Sequence, residues 1–444
     1  MVLSEKMVPF SSRKVPIQYI ENREMKKLFN FTLEQDPEVV RIIGDEARRQ
    51  NECLDLIASQ SLAPEAIMDV SGSILANRTI EGYPGKRYYA GGKYLDEIES
   101  LAISRAKTLF GAEHVNVQPH CGTNTNMAVY HAVLKPGDTV LSMNLAAGGH
   151  LSHGHPLNSG TRVYKFIHYG VDKETSLIDY DEVRRVALEN KPRMIVGGTS
   201  SYPREIDWKK MKEIADEVSA YLLADVAHTV GFIAAGLHVN PLKYADFVTF
   251  SLYKTLPGPR GGCILCGEKF GADIDKAVFP GYQGSMLTQL VGAKAVCFKI
   301  AATDEFKAIA KQIIDNSHYL AEELRKRGIV LVTGGTDSHI VLIDVRNRGI
   351  TGKIAEKVLE RIGLTVNRNV IPFDPEKPWI ASGIRIGTTV ATMRGMKEPE
   401  MVELAGLIDE AFEAVDDEGK LAGLRNRVRD LCGRFPIPPR KLCK

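Results

Sequence analysis

Short apolar runs alternate with longer stretches of helical periodicity over residues 96–305. Two of the longer stretches space their apolar side chains three and four positions apart and are predicted to be helices, at residues 96–109 and 208–218. Four apolar runs have the length of buried strands, and they lie at residues 139–143, 194–198, 221–225 and 247–250. This alternation predicts an α/β fold with a mainly parallel central sheet.

The two ends of the chain follow other patterns. Residues 1 to about 35 show weak periodicity and are predicted to form an arm, whereas Asp36, Pro37 and Glu38 resemble the start of a helix. A long helix predicted over residues 303–327 leads to further strands, at 340–345 and 383–387, which indicate a smaller α+β domain. We therefore divide the chain into an N-terminal arm and helix, a large domain and a small C-terminal domain, at residues 1–60, 61–305 and 306–444.

Composition excludes several classes of protein. The 444 residues are 44% hydrophobic and 25% charged with a net charge of +2, so no strongly basic surface for nucleic acid is indicated. No apolar stretch is long enough to predict a membrane span, and the first residues are too mixed in character for a signal peptide. Seven scattered cysteines, an odd number, indicate reduced thiols in a cytoplasmic protein.

Cys263 and Cys266 form the one Cys-x-x-Cys pair. They lie in an apolar, strand-like segment, where residues three apart point to opposite faces of a sheet. No second Cys/His pair with the spacing of a zinc site follows. We therefore expect no metal site in this protein.

Lys254 is the first candidate for chemistry. The strand-like run at 247–250 delivers it into a loop rich in proline and glycine, and Asp225 ends another buried run, shortly before His228. A lysine held in place and a carboxylate at a strand end suit a pyridoxal phosphate enzyme. There the lysine forms a Schiff base with the cofactor and the carboxylate pairs with the pyridinium nitrogen. Most lysines, in contrast, are solvated surface charges.

Two further segments could hold such a cofactor. Cys121, Gly122 and Thr123 precede an apolar helix, where free backbone amides can bind a phosphate. A simple N-cap with a tight turn is an equally good interpretation. His150 follows two glycines, so its ring could stack on a flat cofactor, although an isolated histidine is more often a surface or satisfied residue.

A turn and a strand supply candidates for substrate chemistry. The segment Glu81-Gly-Tyr-Pro-Gly-Lys-Arg-Tyr-Tyr89 could be an active-site loop with an acid/base group, or a rigid turn with solvated charges. Arg385 lies between glycines in a predicted strand, where it could bind a substrate carboxylate or form a structural ion pair. Together with Lys254 and Asp225, these groups would equip a protein for pyridoxal phosphate chemistry on an amino acid.

Longer motifs resemble the serine hydroxymethyltransferase family, in the family's order, from about residue 36 to about residue 435. They are Leu56-Ile-Ala-Ser59, Glu81-Gly-Tyr-Pro-Gly-Lys-Arg-Tyr-Tyr89, Leu109-Phe-Gly-Ala112, Asn116-Val-Gln-Pro-His120, Gly148-Gly-His-Leu151, Asp225-Val-Ala-His228, Lys254-Thr-Leu and Gly258-Pro-Arg-Gly-Gly262. The resemblance implies a fold-type I pyridoxal phosphate transferase, similar in fold to aspartate aminotransferase. It also implies an obligate homodimer, or a tetramer of such dimers, with active sites shared between subunits.

The resemblance assigns cofactor and catalytic roles. Lys254 would hold pyridoxal phosphate covalently, Asp225 would keep its ring nitrogen protonated, and Gly284 would reach the phosphate from the partner subunit. The implied cofactor-binding positions are Thr79, Cys121, Gly122, Thr123, His150, Ser200, Asp225, His228, Tyr253, Lys254 and Gly284. The implied catalytic positions are Glu81, Asp225, His228 and Lys254.

Substrate positions follow from the same resemblance. The parent reaction moves a one-carbon unit between tetrahydrofolate and serine or glycine by breaking or forming a Cα–Cβ bond. Glu81 would be the acid/base near the one-carbon unit. The implied amino-acid-binding positions are Ser59, Glu81, Tyr89 and Arg385, and the implied folate-lining positions are Leu145, Gly149, Leu151 and Asn369.

Several residues inside the predicted site depart from the family pattern. The chain has Gln60-Ser61 for Glu-Asn, Cys121 and Thr123 for two serines, Tyr253 for histidine and Thr79 for tyrosine. At the last of these positions, the loss of an aromatic ring would enlarge the space near the substrate Cα. Room for one more methyl group changes the discrimination between two substrates that differ by that group by ~1–3 kcal/mol, which is enough to switch the preferred substrate.

Three functions remain open at the level of sequence. The chain could act on 2-methylserine and D-alanine, as the Thr79 substitution suggests, or with equal weight on serine and glycine. The same scaffold could instead run a folate-independent aldolase, transaldolase or β-lyase reaction, against which the folate-lining matches argue. A non-catalytic paralogue is disfavoured because Lys254, Asp225, Glu81 and Arg385 are all present.

Overall fold

The computed structural model describes residues 30–437. Its helices are α1 (Asn30–Gln35), α2 (Pro37–Glu52), α3 (Glu65–Ser71), α4 (Lys93–Phe110), α5 (Gly122–Val133), α6 (Tyr180–Asn190), α7 (Trp208–Glu217), α8 (Val230–Ala234), α9 (Glu268–Lys276), α10 (Thr288–Ala301), α11 (Asp304–Lys326), α12 (Gly352–Arg361), α13 (Thr389–Met393), α14 (Glu398–Glu413) and α15 (Glu418–Arg434). Its strands are β1 (Leu54–Asp55), β2 (Gly82–Tyr83), β3 (Lys86–Arg87), β4 (His114–Asn116), β5 (Thr139–Met143), β6 (Lys165–Tyr169), β7 (Met194–Gly198), β8 (Tyr221–Asp225), β9 (Phe247–Ser251), β10 (Gly262–Cys266), β11 (Val330–Leu331), β12 (Ile340–Asp344), β13 (Leu364–Thr365), β14 (Asn367–Asn369) and β15 (Gly383–Gly387).

Seven strands form the central sheet, in the order β4-β10-β9-β8-β7-β5-β6. The strands from β9 to β6 are parallel to their neighbours, whereas β10 is antiparallel to both β9 and β4. Alternate residues of β8 enter different cores, with Leu222 and Ala224 on one face and Leu223 on the other. Both faces are therefore buried, which explains the continuous apolar runs in the sequence. The predicted α/β fold with a mostly parallel sheet is confirmed.

The large domain thus has one core on each face of its sheet, and the small domain has a core of its own around an antiparallel sheet with the order β11-β12-β15-β14. The long helix predicted over 303–327 is α11, and it takes part in one core of each domain. Its first half places Phe306 and Ile313 in the large core, and its second half places Leu320 and Leu324 in the small one. The small α+β domain is thus present, while the domain boundaries at 60/61 and 305/306 stay predictions.

The helix start predicted at Asp36 is confirmed as that of α2, and a short helix that we did not predict, α1, precedes it. Asp36 caps α2 by accepting the backbone N–H of Val39 at 3.2 Å, with Pro37 as the first helical residue. Residues 30–35, which we predicted to belong to an arm, form the short helix α1. Six residues are too few to show helical periodicity, and α1 has no acidic first turn or basic last turn to mark it. The rest of the predicted arm, residues 1–29, lies outside the described residues.

Cys263 and Cys266 lie in β10 on opposite faces of the sheet, as predicted. Cys263 packs in one core of the large domain and Cys266 in the other. The six cysteines within residues 30–437 are free thiols. Among the helices of the same residues, none is both long and apolar enough to cross a membrane.

Candidate active site

Lys254 lies in the loop that follows β9, near the carboxyl end of β8. The loop folds back over the strand because Gly258 donates its N–H to the carbonyl oxygen of Leu252 at 2.7 Å. Lys254 is only 8% exposed, and burial lowers the pKa of its amine to about 8. Asp225 opposes this shift in pKa, and two arginines add to it. The amine is therefore neutral in much of the population just above neutral pH, as a nucleophile requires.

Three donors surround the carboxylate of Asp225 at the end of β8. Oδ2 accepts from Asn126 Nδ2 at 2.8 Å and from His153 Nε2 at 3.0 Å, while Oδ1 accepts the N–H of Ala227 at 3.1 Å. Burial acts to raise the pKa of Asp225, but the hydrogen bond from His153 and the neighbouring donors outweigh it and hold that pKa well below its usual value. A carboxylate offers about four acceptor positions, so Oδ1 retains one for a further donor.

His153 is a part of this site that we did not predict. Its Nδ1 accepts the backbone N–H of His150 at 3.2 Å, so its Nε2 carries the proton that faces Asp225. Among the described residues, His150, His153 and Asp225 are close enough together to hold a metal ion. Because Nε2 of His153 carries a proton, it has no lone pair for a metal, and the cluster is better suited to hydrogen bonding.

His150 lines the same cavity as Lys254 and Asp225. Its Nδ1 accepts the backbone N–H of Ser152 at 3.2 Å and lies 2.8 Å from the Ser152 hydroxyl. Burial, followed by the effect of His153, lowers the pKa of His150 to about 4, so the ring is neutral at physiological pH. A neutral, flat ring at a cavity wall is suited to stacking on an aromatic cofactor.

The N-terminus of α5 forms another wall of this cavity. Gly122 and Thr123 line it, and no side chain caps the helix, although Cys121 occupies the N-cap position. The hydroxyl of Ser251 is buried there and has no hydrogen-bond partner among the described residues. Uncapped backbone amides and an unpartnered hydroxyl fit a phosphate group. With the open acceptor position on Asp225, the residues present fit pyridoxal phosphate.

Arg385 brings a buried positive charge to the site from the small domain. It is 9% exposed, and within residues 30–437 no carboxylate lies within ion-pair distance of it. Its Nη1 donates to the carbonyl and hydroxyl oxygens of Ser200 at 2.6 and 3.2 Å, and its Nε donates to Asn367 Oδ1 at 3.0 Å. Burial lowers the pKa of Arg385 to about 10. A buried guanidinium that binds only neutral oxygens is ready to receive an anion.

His228 is paired with a second buried histidine, His339, which we also did not predict. The rings stack with centroids 5.5 Å apart, and His228 Nδ1 lies 3.4 Å from His339 Nε2. His339 Nε2 donates to the carbonyl oxygen of Ala58 at 2.9 Å. Burial holds the pKa of His228 well below its usual value, so this ring is neutral. The contact with Ala58 places the segment that carries Ser59 beside the site.

Ser59 and Tyr253 line a neighbouring cavity, and Tyr253 lines the Lys254 cavity as well. The guanidinium of Arg260 lies over the Tyr253 ring, 4.2 Å from its centroid, which holds the ring at the boundary between the two cavities. The side-chain amide of Gln60 lies beside the carboxylate of Asp55. Nothing in the structure explains why Gln60 replaces the family's glutamate.

The predicted folate-lining residues flank the site on two elements. Leu145, Gly149 and Leu151 belong to the segment around His150, and both leucines are exposed. Asn369 ends β14 and is paired with Gly383, two residues before Arg385. Their role in lining a folate site stays a prediction.

A second group contains Glu81, Tyr89 and Gly284, and Thr79 lies two residues before Glu81 in the chain. Glu81 Oε1 accepts the hydroxyl of Ser285 at 3.3 Å, and a hydrogen bond with Glu81 raises the pKa of Tyr89. Tyr89 is 45% exposed and Thr79 is exposed. None of the four lines the Lys254 cavity within the described chain. These four predicted residues therefore lie outside the lining of their own subunit's Lys254 cavity.

The Glu81 group is attached to the large domain by a buried polar network. Arg87 in β3 donates to Asp96 at 2.8 Å, to the carbonyl oxygen of Gly82 at 2.5 Å and to buried Glu99. Gln118 donates to the other Glu99 oxygen at 2.7 Å. This network fixes the β2–β3 hairpin directly after Glu81.

A comparison with known protein families gives one match across this arrangement. A family model described as Serine hydroxymethyltransferase matches residues 32–408, which is most of the chain. The matched segment includes the Lys254 cavity, Arg385, the Glu81 group and most of the core of the small domain.

Proposed function

The chain belongs to the serine hydroxymethyltransferase family, and we propose that Lys254, Asp225 and Arg385 are the centre of its reaction. Membership makes it a pyridoxal phosphate-dependent transferase of one-carbon units that uses an amino acid and a folate. The observation that carries our assignment is the buried Arg385 guanidinium, which has no carboxylate partner within residues 30–437. The carboxylate of a bound amino acid would supply the negative charge that pairs with this guanidinium.

The cofactor would be held from three sides. We propose that it is bound covalently to Lys254, that its ring nitrogen donates to Oδ1 of Asp225, and that its phosphate binds Gly122, Thr123 and Ser251. When bound, pyridoxal phosphate accepts the electron pair of the bond that breaks at Cα. Asp225 stays ionised because its neighbours are donors, and its negative charge keeps a ring proton in place.

Cofactor uptake is expected to depend on the ionisation of Lys254. With a pKa of about 8, the amine is neutral in about a tenth of molecules at pH 7 and in about nine tenths at pH 9. The rate of pyridoxal phosphate uptake by the apoprotein, followed by absorbance, should therefore rise about fivefold between pH 7 and 8 and level off near pH 9. Nα-acetyl-lysine amide, measured in parallel, corrects for ionisation of the cofactor. A rate that climbs at the same slope beyond pH 9 would contradict a lowered pKa.

We propose that the Glu81 group acts in the site of a second subunit. Glu81, Tyr89, Thr79 and Gly284 do not line the chain's own Lys254 cavity. Glu81 is partly exposed and the other three are exposed, and the same part of the chain carries further exposed aromatic and aliphatic side chains, namely Ile74, Tyr88 and Tyr94. A homodimer would cover this apolar surface and bring Glu81 to the one-carbon unit of the partner's substrate.

The cytoplasmic location stays a prediction from the free thiols.

The identity of the amino acid depends on the space around Cα. We propose two substrate pairs with equal weight, serine with glycine and 2-methylserine with D-alanine. Thr79 favours the second pair because its short side chain stands where the family has tyrosine. Its exposure and its place two residues before Glu81 support a role at the partner's substrate.

A tetrahydrofolate-dependent assay with glycine and D-alanine tests this choice. If the second pair is correct, D-alanine should be preferred, and Thr79→Tyr should reverse the preference by about 10–200-fold in kcat/KM. No gain for D-alanine over glycine would leave serine and glycine as the substrates. Arg78→Lys, next in sequence and outside the proposed site, is the matched control. Omitting tetrahydrofolate completes the test, since unchanged turnover would instead support a folate-independent lyase or aldolase.

A further inference from the structure

Lys294 in α10 is a buried cation that the proposed reaction does not use. It is 2% exposed, and its Nζ donates to the carbonyl oxygens of Val117, Pro119 and Gly262 at 2.5, 3.0 and 2.9 Å. Within residues 30–437 no carboxylate forms an ion pair with it. A buried charge is normally paired, so this ammonium relies on three carbonyl dipoles alone.

The three carbonyls match the three N–H groups of an ammonium ion. Burial lowers the pKa of Lys294 to about 8, so the group is still mainly protonated at pH 7. Three backbone carbonyls converging on a single positive charge also resemble the oxygen ligands of a bound metal cation. The lysine head group therefore occupies a small internal cation site.

The carbonyls belong to two segments on either side of the proposed phosphate site. Val117 and Pro119 lie between β4 and the cradle at 121–123, and Gly262 begins β10, where the chain returns from the Lys254 loop. The N–H of Gly262 also donates to Pro119 at 2.9 Å. A Cβ at Gly261 would lie 2.8 Å from Lys294 Nζ, so the backbone approaches the ammonium closely. The charge of Lys294 thus connects the segment that precedes the cradle at 121–123 to the segment that follows the Lys254 loop.

We propose that Lys294 is a positioning residue that acts as a built-in cation and keeps the phosphate cradle in register with the Lys254 loop. It does not touch substrate or cofactor. Removing its head group would leave the buried carbonyls of Val117 and Gly262 without this donor and Pro119 with only the N–H of Gly262. The junction between the two segments would therefore loosen. The inference rests on the proposed placement of the cofactor phosphate at 121–123.

Chemical rescue tests this role. Lys294→Ala should weaken pyridoxal phosphate binding to the apoprotein by about 10–100-fold, because hydrogen bonds to a charged group are lost. Ethylammonium chloride present during refolding should restore most of the affinity, because the ion supplies three N–H donors in the vacated space. Tetramethylammonium chloride at the same ionic strength has no N–H and should restore nothing. Lys294→Met fills the space with an apolar chain, so it should bind the cofactor weakly and gain nothing from ethylammonium.

The controls separate this role from general stability. Lys299→Met changes an exposed lysine on the same helix and should leave the cofactor dissociation constant unchanged. A lowered melting temperature for Lys294→Ala with an unchanged dissociation constant would overturn the proposal, as would lost affinity that ethylammonium does not restore. If the alanine variant fails to fold, the affinities of Lys294→Met and Lys299→Met for pyridoxal phosphate are compared instead. Equal affinities of these two variants would overturn the proposal. A parent protein that binds no pyridoxal phosphate would instead contradict the proposed cofactor site.

Discussion

Asp225→Asn is expected to lower kcat by about 10²–10⁴-fold, since removing one partner of a buried charge pair costs about 3–5 kcal/mol. The described neighbours of the carboxylate, Asn126, His153 and Ala227, all donate to it. An amide group at this position would point its NH₂ at another donor, and it carries no charge to keep a proton on the cofactor ring. Turnover with saturating pyridoxal phosphate is the measurement.

Asp246→Asn is a matched control for this change. Asp246 lies at the other end of the same strands and accepts the N–H of Leu222 at 3.0 Å, a bond that an amide oxygen can also accept. Its kcat should stay within about twofold of the parent, the range of a surface-type substitution. A similar kcat for Asp225→Asn and the parent would show that the reaction does not depend on this carboxylate.

Lys254→Ala is expected to remove covalent binding of the cofactor and to lower turnover by at least about 10²–10⁴-fold, the range that a positioned proton-transferring group contributes. The parent should be labelled irreversibly when it is reduced with borohydride in the presence of pyridoxal phosphate, and the variant should not. Lys243→Ala, which removes an exposed lysine, should be labelled like the parent. Labelling of Lys254→Ala would place the attachment at another lysine.

The same variant can reveal whether active sites are shared. Subunits with Lys254→Ala are mixed with subunits that carry Glu81→Gln and are allowed to exchange. If Glu81 serves the partner's site, each mixed dimer has one intact site, and activity should return to about a quarter of the parent value. If Glu81 serves its own subunit, every site in the mixture carries a defect, and activity should stay at the level of the separate variants.

The sequence predicted the sheet and the groups at its strand ends well. Strands β5, β7 and β8 are continuous apolar runs because both faces of the sheet are buried, and such runs are visible without any long-range information. Lys254 and Asp225 were found because each directly follows or ends such a run. The short helix α1 was missed because six residues are too few for a periodic pattern.

The supporting residues could not be predicted in the same way. His153, His339 and Lys294 act through contacts with segments far away in the chain, and their immediate neighbours give no distinctive pattern. His339 had one weak signal, its place directly before the apolar run of β12. The separation of Glu81 from Lys254 was also beyond local patterns, because it depends on how the β2–β3 hairpin is attached to α4 and β4.

The position of α11 limits where the chain of this enzyme can be divided into separate domain fragments. At about 1.5 Å per residue, its 23 residues extend about 35 Å, and one apolar stripe serves the large core in its first half and the small core in its second. A gene cut near residue 305 would give a large fragment without the helix, whose Phe306 and Ile313 contacts would be missing. A cut near residue 327 would instead deprive the small fragment of Leu320 and Leu324. Neither fragment should be soluble by itself, so attempts to recombine domains between relatives should keep α11 together with both of its cores.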